Sequence, residues 1–340
     1  MTKVPENNAY NSSVWIADYA RCAITPFVET SHFLDFDQQA EQLVGFGQEY
    51  HQLSPGAFEG RFLSVDFGGG VSVHVEYASQ TLAQSMGAPT EYASLGFVLG
   101  DGKYVANGQL LDRNSVLLVP PGSELHFRSP LGGSIIAFCF SKDLLTHDAG
   151  SDMFSCLAAG QPAAVIEAPD FSARARRDIF DTLNAVSGQN EATVFGRILA
   201  TSLLANLGAE LALRSGLSTR VARNRKLENF LEAAAIFRTH SQILLGYDDL
   251  KQLTGISRRN LQNSFKEVVG CGPLEYFRLR RLCDARTRIA SLTAGEQTIG
   301  DVAAESGFCD WSHFSRIYKH QFGESPSQTR QRALNDRVPS

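Results

Sequence analysis

Residues 247–273 read YDDLKQLTGISRRNLQNSFKEVVGCGP, and residues 299–326 read IGDVAAESGFCDWSHFSRIYKHQFGESP. The two stretches are copies of one pattern. Gly255-Ile256 in the first answers Gly307-Phe308 in the second. Leu261, Phe265-Lys266, Val269-Gly270 and Pro273 answer Phe314, Tyr318-Lys319, Phe322-Gly323 and Pro326. The offset is 52 residues at the glycines and 53 beyond them, so the second copy has one extra turn residue. A repeat of this kind is a repeated supersecondary element. Each copy predicts helix, tight turn, helix. Leu250, Leu253, Ile256, Leu261 and Phe265 form the inner face of the first, and Val302, Ala303, Phe308, Phe314, Ile317 and Tyr318 that of the second. Gly255 and Gly307 stand where the leading helix must stop, because glycine tolerates the left-handed conformation needed there. Ser257 and Asp310 then open the next helix as N-caps. This is the layout of a helix-turn-helix, whose second helix enters the major groove of DNA.

Working outward, Pro273 to Leu292 predicts one long helix between the units, with proline at its first position. Leu274, Phe277, Leu282, Ala285 and Ile289 make its apolar stripe; Arg278, Arg280, Arg281, Arg286 and Arg288 fall elsewhere. A helix of that length spans about 30 Å, close to the roughly 34 Å between successive major grooves. One chain could then read two neighbouring grooves. With Leu261 and Phe265 inward, Arg259, Gln262, Asn263 and Lys266 face out. With Phe314 and Tyr318 inward, Trp311, Ser312, His313, Arg316 and Lys319 are outward or flanking. Arginine bonds guanine bidentately and Asn or Gln bonds adenine, at about 1–3 kcal/mol of discrimination each. Lys266, Lys319 and the helix start at Ser327-Gln328 suit phosphates. Trp311 also has a competing reading, as a partly buried cap on the second unit.

These residues resemble the AraC/XylS family of transcription regulators over about Leu227 to Leu334. The carrying stretches are Gly255 to Lys266, Gly270 to Tyr276, Ile299 to Phe308 and His313 to Pro326. The resemblance implies two helix-turn-helix units on one helix, promoter DNA as ligand and RNA polymerase as a partner. It also carries base-reading positions onto Arg259, Gln262, Asn263, Trp311, Ser312, His313 and Arg316. Asn263 stands where many members carry a basic residue.

The rest of the 340-residue chain differs in charge and in pattern. Residues 1–219 hold 12 Lys+Arg against 23 Asp+Glu, −11, whereas residues 220–340 hold 19 against 13, +6. The overall −5 therefore describes neither part, and the basic block is the one that can meet phosphates. From about 60 to 140, short strands with Gly and Pro punctuation predict an antiparallel barrel or jelly roll. Val71, Val73, Val75 and Tyr77 alternate with Ser72, His74 and Glu76. Gln38 to Gln48 predicts a short helix before it. Asp170 to Val186 and Glu191 to Arg214 predict two amphipathic helices, which either pack on the barrel or form a dimer seam.

The expected fold is therefore α+β. A cupin-like effector-sensing domain occupies 1–168, a helical dimerisation or packing segment 169–215, a linker 216–226 and the DNA-binding domain 227–334. The front part is similar to the cupin-type effector domains attached to many such regulators, and Tyr50 to Arg61 looks like the start of the sensor domain in ethanolamine-type regulators.

The remaining chemistry is thin. Six cysteines form no CxxC pair and read as reduced thiols. Gly68-Gly69-Gly70 and Gly100-Asp101-Gly102 are turns and not phosphate loops, and no GxSxG occurs. His74 and Glu76 share a face, His126 is separate, and no HxH pair exists, so a cupin-type metal enzyme is the weak competitor. Neither a metal nor a cofactor is expected. Candidate effector contacts are Arg61, His74 and Glu76 in the barrel and Arg220, Arg223 and Arg225 in the linker. The arginine cluster suits either a cyclic dinucleotide or simple phosphate attraction. The apolar stretch Ile198 to Leu213 is interrupted by Asn206 and Glu210, and Met1 to Tyr10 has no signal pattern. The expectation is a cytoplasmic homodimer with a small-molecule or nucleotide effector and no membrane contact.

Overall fold

In the computed structural model, the described residues are 28–43, 45–147, 155–186, 189–213, 224–239, 245–293 and 297–336. Strands β1 (Val28–Phe33), β3 (Gly60–Gly68), β4 (Val71–Ala78), β6 (Tyr92–Val98), β9 (Ser115–Val119), β11 (Gly133–Ser141) and β12 (Ala164–Glu167) build a seven-stranded sheet in the order β1-β3-β4-β11-β6-β9-β12. Strands β2 (Gly47–Gln52), β5 (Leu82–Gly87), β7 (Tyr104–Ala106), β8 (Gln109–Leu111) and β10 (Glu124–Arg128) build a second sheet in the order β2-β5-β10-β7-β8. The pairings are antiparallel, as hairpin punctuation at short spacing requires. Helix α1 (Phe36–Ala40) is shorter than the sequence suggests. Asp35 caps it, and the chain turns through Gly45 at φ 86° into β2, where pairing with β5 replaces helix.

The two faces of the large sheet divide as the alternation requires. Leu63, Val65, Phe67, Val71, Val73, Val75, Leu95, Phe97, Ile136, Phe138 and Phe140 form one continuous core with helices α3 (Pro169–Ala185) and α4 (Gln189–Leu213). The short α2 (Leu144–His147) lies between β11 and that region. The apolar face therefore lies outside the barrel, under helices, and the His74/Glu76 face points between the sheets. Helix α4 is long and apolar enough over Glu191–Ala212 to cross a bilayer by length and composition alone. Here Leu199, Leu203, Leu204, Leu207 and Leu211 bury its inner face in the barrel core.

The C-terminal part is helical. Its elements are α5 (Arg225–Thr239), α6 (Tyr247–Thr254), α7 (Arg258–Val268), α8 (Pro273–Ser291), α9 (Ile299–Glu305), α10 (Trp311–Phe322) and α11 (Pro326–Asp336). Most of the linker expected at 216–226 lies outside the described residues. Its end does not: α5 begins at Arg225, capped by Asn224, whose amide also donates to the carbonyl of Asn107 at 3.0 Å.

Candidate nucleic-acid interface

Both helix-turn-helix units are built by their caps. Gly255 ends α6 at φ 70°, and the Ser257 hydroxyl accepts from the amide of Asn260 at 3.3 Å to start α7. In the second unit Thr298 and Asp301 form a capping box on α9, and Gly307 turns the chain at φ 83°. Asp310 then accepts from the amide of His313 at 2.9 Å to start α10. Leu261, Phe265, Phe314 and Tyr318 are buried, as the periodicity requires. Leu253 and Leu274 are not: each is exposed and belongs to no apolar face.

The structure places Arg259, Asn263 and Lys266 exposed on α7. Gln262 is half-buried and donates to the Tyr247 hydroxyl at 3.3 Å, while Arg258 lies over the Tyr247 ring at 4.2 Å. On α10, Ser312, His313, Arg316 and Lys319 are exposed, and an Arg316 Nη lies 3.1 Å from His313 Nδ1. Trp311 is 47% exposed, its ring tilted against Phe314 at 5.8 Å. Between α8 and α10 runs a groove lined by Arg278, Arg316 and His320. The exposed sides of α7 and α10 each carry planar donors and cations, the residue types that can meet base edges and phosphates.

The arginines of α8 do not all stay in water. Arg280 and Arg286 are buried, against the sequence expectation that they lie clear of the packed face. Arg286 is 2% exposed; its guanidinium lies 2.8 Å from Asp35 and 3.4 Å from Asp37, over the Phe36 ring at 4.6 Å. This pairing lowers the Asp35 pKa against the opposing effect of burial. Burial and the Asp35 charge push Asp37 up to about 6. Arg280 pairs with Glu49 at 3.0 Å. Gln52 and Gln321 exchange side-chain-to-carbonyl bonds at 2.8 and 2.9 Å. Together these form a clasp between the barrel and helices α8 and α10. Sequence reasoning missed it. Its one signal was an arginine at 286 flanked by buried Leu282 and Ile289, on the packed side of the helix.

Glu49, His51 and Asp284 bring three ligand-type atoms within 4.8 Å. The Arg280 guanidinium already occupies the Glu49 carboxylate, so the group reads as part of the clasp rather than a metal centre.

Of the barrel candidates, His74 and Glu76 line a cavity between the sheets, with Gln48, Gln84, Met86 and Phe127 among its walls. The cavity volume is about 580 Å³, its open mouth included. Arg61 does not line it and pairs with Glu59 at 2.9 Å. Burial lowers the His74 pKa to about 4, and its ring nitrogens lie 3.1 and 2.9 Å from the hydroxyls of Ser64 and Ser72. Burial raises the Glu76 pKa, against hydrogen bonds from the Gln39 and Gln84 amides, while the Tyr50 hydroxyl donates to Gln48 Oε1 at 2.7 Å. Arg220 and Arg223 lie outside the described residues; Arg225 is exposed at the start of α5.

Residues 250–332 match a family model described as a helix-turn-helix domain. A stretch of 79 residues is 47% identical to the HTH-type transcriptional activator RhaR of Pectobacterium atrosepticum, covering 23% of this chain and 27% of that protein. The XylDLEGF operon transcriptional activator 2 of Pseudomonas putida is 28% identical over 142 residues, 40% of this chain and 82% of the relative. A solved transcriptional regulator of the AraC-type from Chromobacterium violaceum is 28% identical, with a TM-score of 0.29, over 31% of this chain and 92% of that one. The chain thus spans about a quarter of the length of the RhaR relatives it matches.

Proposed function

We propose that residues 250–332, which match a helix-turn-helix domain model, form a DNA-binding domain of the AraC/XylS family, and that the chain is a promoter-binding transcription regulator governed by a small effector held in its barrel. The observation that carries this is the pair of capped units mounted on α8, each presenting a recognition helix with exposed cations. In this reading Arg259, Gln262, Asn263, Trp311, Ser312, His313 and Arg316 meet base edges, while Lys266 and Lys319 hold phosphates. RNA polymerase is the partner at an activated promoter.

Dimerisation falls to α4, whose exposed side carries Val194, Ile198, Thr201 and Ala205 at helical spacing. The 58% and 61% exposure of Val194 and Ile198 is costly in a monomer and useful in a seam.

A mobility-shift titration of the full chain on the DNA upstream of its own gene tests the reading. Arg316→Ala should weaken binding about tenfold, in line with about 1–3 kcal/mol for a base contact. Raising salt from 50 to 200 mM should weaken wild-type binding steeply. Promoter affinity equal in wild type and variant removes the base-contact assignment. In sedimentation, Ile198→Glu should shift the chain toward monomer.

A further inference from the structure

The cavity and the clasp are connected through short hydrogen bonds and one helix. Glu76 points from β4 into the cavity. Its Oε1 accepts from Gln39 Nε2 at 2.7 Å. Gln39 is 1% exposed and lies on α1, the five-residue helix that begins at Asp35. Its other amide atom, Oε1, is buried without a hydrogen-bond partner and is pressed against Gly60, where an added Cβ would lie 1.6 Å away. Asp35 and Asp37, one turn earlier on the same helix, grip Arg286 of α8.

The cavity's own chemistry limits what can enter. Among the described residues, no lysine or arginine lines it. His74 has its ring nitrogens beside two serine hydroxyls, and the remaining walls are largely apolar. An anionic group would find no cation there. A group with hydrogens to give would find the Glu76 carboxyl, whose present donors are the Gln39 and Gln84 amides. A cationic donor is favoured over a neutral one, since a buried carboxylate gains most from a charge partner.

We propose that Glu76 is the effector-reading residue of the barrel, that the effector class is a small alkylammonium or similar donor-bearing molecule, and that Gln39 relays occupancy to the Arg286 clasp. This rests on the effector reading above. A bound ammonium takes the lone pairs that Gln39 now uses. Gln39 then keeps only its bond to the Tyr77 carbonyl on β4, α1 shifts, and Asp35 and Asp37 change their grip on the helix that spaces the two recognition helices. Gln39 is thus a positioning residue, and the effector need not approach the DNA-binding face.

Three four-carbon probes of nearly equal shape test it on the full-length chain by calorimetry: n-butylammonium, n-butanol and butyrate. The expected order is butylammonium tightest, butanol at least tenfold weaker, and butyrate not bound. Glu76→Gln should weaken butylammonium at least tenfold. Gln39→Leu should keep butylammonium binding within about threefold while abolishing its effect on promoter affinity in a mobility shift. Should Gln39→Leu fold poorly, hydrogen exchange on the wild type reads the relay directly: butylammonium should alter protection at residues 36–40 and 283–289. Preferred binding of butyrate, binding of none of the three, or unchanged affinity in Glu76→Gln overturns the assignment of class and residue. Butylammonium binding with exchange confined to the barrel overturns the relay. Promoter binding by the effector-free chain is measured separately, so loss of the regulator reading and loss of this one are distinct results.

Discussion

The two helix-turn-helix units are near-copies in sequence, yet they are stabilised by different neighbours. The first packs mainly within its own domain. Phe265 meets Phe230 at 4.9 Å and Phe277 at 5.4 Å, and Leu250, Leu261 and Val268 complete a cluster to which the barrel adds little beyond Ala83 and Leu53. The second has no separate core. Phe314, Tyr318 and Phe322 share one cluster with Phe33, Phe36, Tyr50, Phe58 and Phe62 of the barrel. Duplication therefore supplied two helix-turn-helix units of similar design, and packing tied only one of them closely to the barrel. Under the proposed function, one unit stays fit to bind while the barrel sets the stability and placement of the other.

The clasp is where this asymmetry breaks most sharply. Arg286→Ala leaves buried Asp35 with only Arg332 at 3.6 Å and half-buried Asp37 without its cation, and should cost about 3 kcal/mol. Hydrogen exchange should show the loss in α10 and α11, with α6 and α7 little changed. Equal loss in both units would refute the asymmetry.

Acid should act on the same side of the molecule, through two groups of opposite sign. His74 stacks on Phe62 at 5.8 Å, within reach of the shared cluster. Its folded pKa of about 4 lies below the unfolded 6.5, so its contribution is intact above pH 6.5 and is lost as pH falls toward 4. That loss is on the order of 3 kcal/mol. Asp37 is raised from 3.8 to about 6, so it favours the folded state below about 3.8 and that advantage is lost as pH rises through about 6. The wild type should therefore show a shallow profile between pH 4 and 6.5. Relative to it, His74→Phe should gain stability toward acid and Asp37→Asn should lose it, as urea midpoints at each pH will show.

The repeat also offers a matched pair of glycines. Gly270 and Gly323 are equivalent, at φ 83° and 73°. A Cβ at Gly270 would meet the end of the Arg128 side chain, which can swing away. A Cβ at Gly323 would meet the backbone nitrogen of Ala57 at 2.8 Å, which cannot. Left-handed strain alone costs about 1–2 kcal/mol at either site. Gly323→Ala should exceed Gly270→Ala in thermal unfolding, and the reverse order would mean the barrel does not press on the second unit. Smallest is the exposed pair Arg288–Glu305, whose removal should change stability by less than about 1 kcal/mol.

Much of the fold was legible from local signals. Ser115–Val119 was bounded by proline and glycine, the long helix opened at Pro273, and Ser257 and Asp310 capped the two recognition helices as their positions required. Arg259, Asn263, Lys266 and Arg316 face water because heptad-like spacing alone puts them opposite Leu261, Phe265, Phe314 and Tyr318. The short helix at 36–40 was misjudged in extent, because strand pairing with β5 is a long-range event that no local propensity records.

The amino-acid sequence by itself determined the repeat, the turn chemistry and the outward faces of the recognition helices, since each depends on residues within a few positions of one another. It also determined that His74 and Glu76 share a face. Only the tertiary structure decided that this face looks into the cavity while the valines lie under α3 and α4, because alternation is blind to which side another layer will cover. Likewise Arg286 and Asp35 are 251 residues apart, and no pattern along the chain announces that they will meet. Their pairing is a property of the packed interface, and it ties the barrel to the helix between the two recognition units.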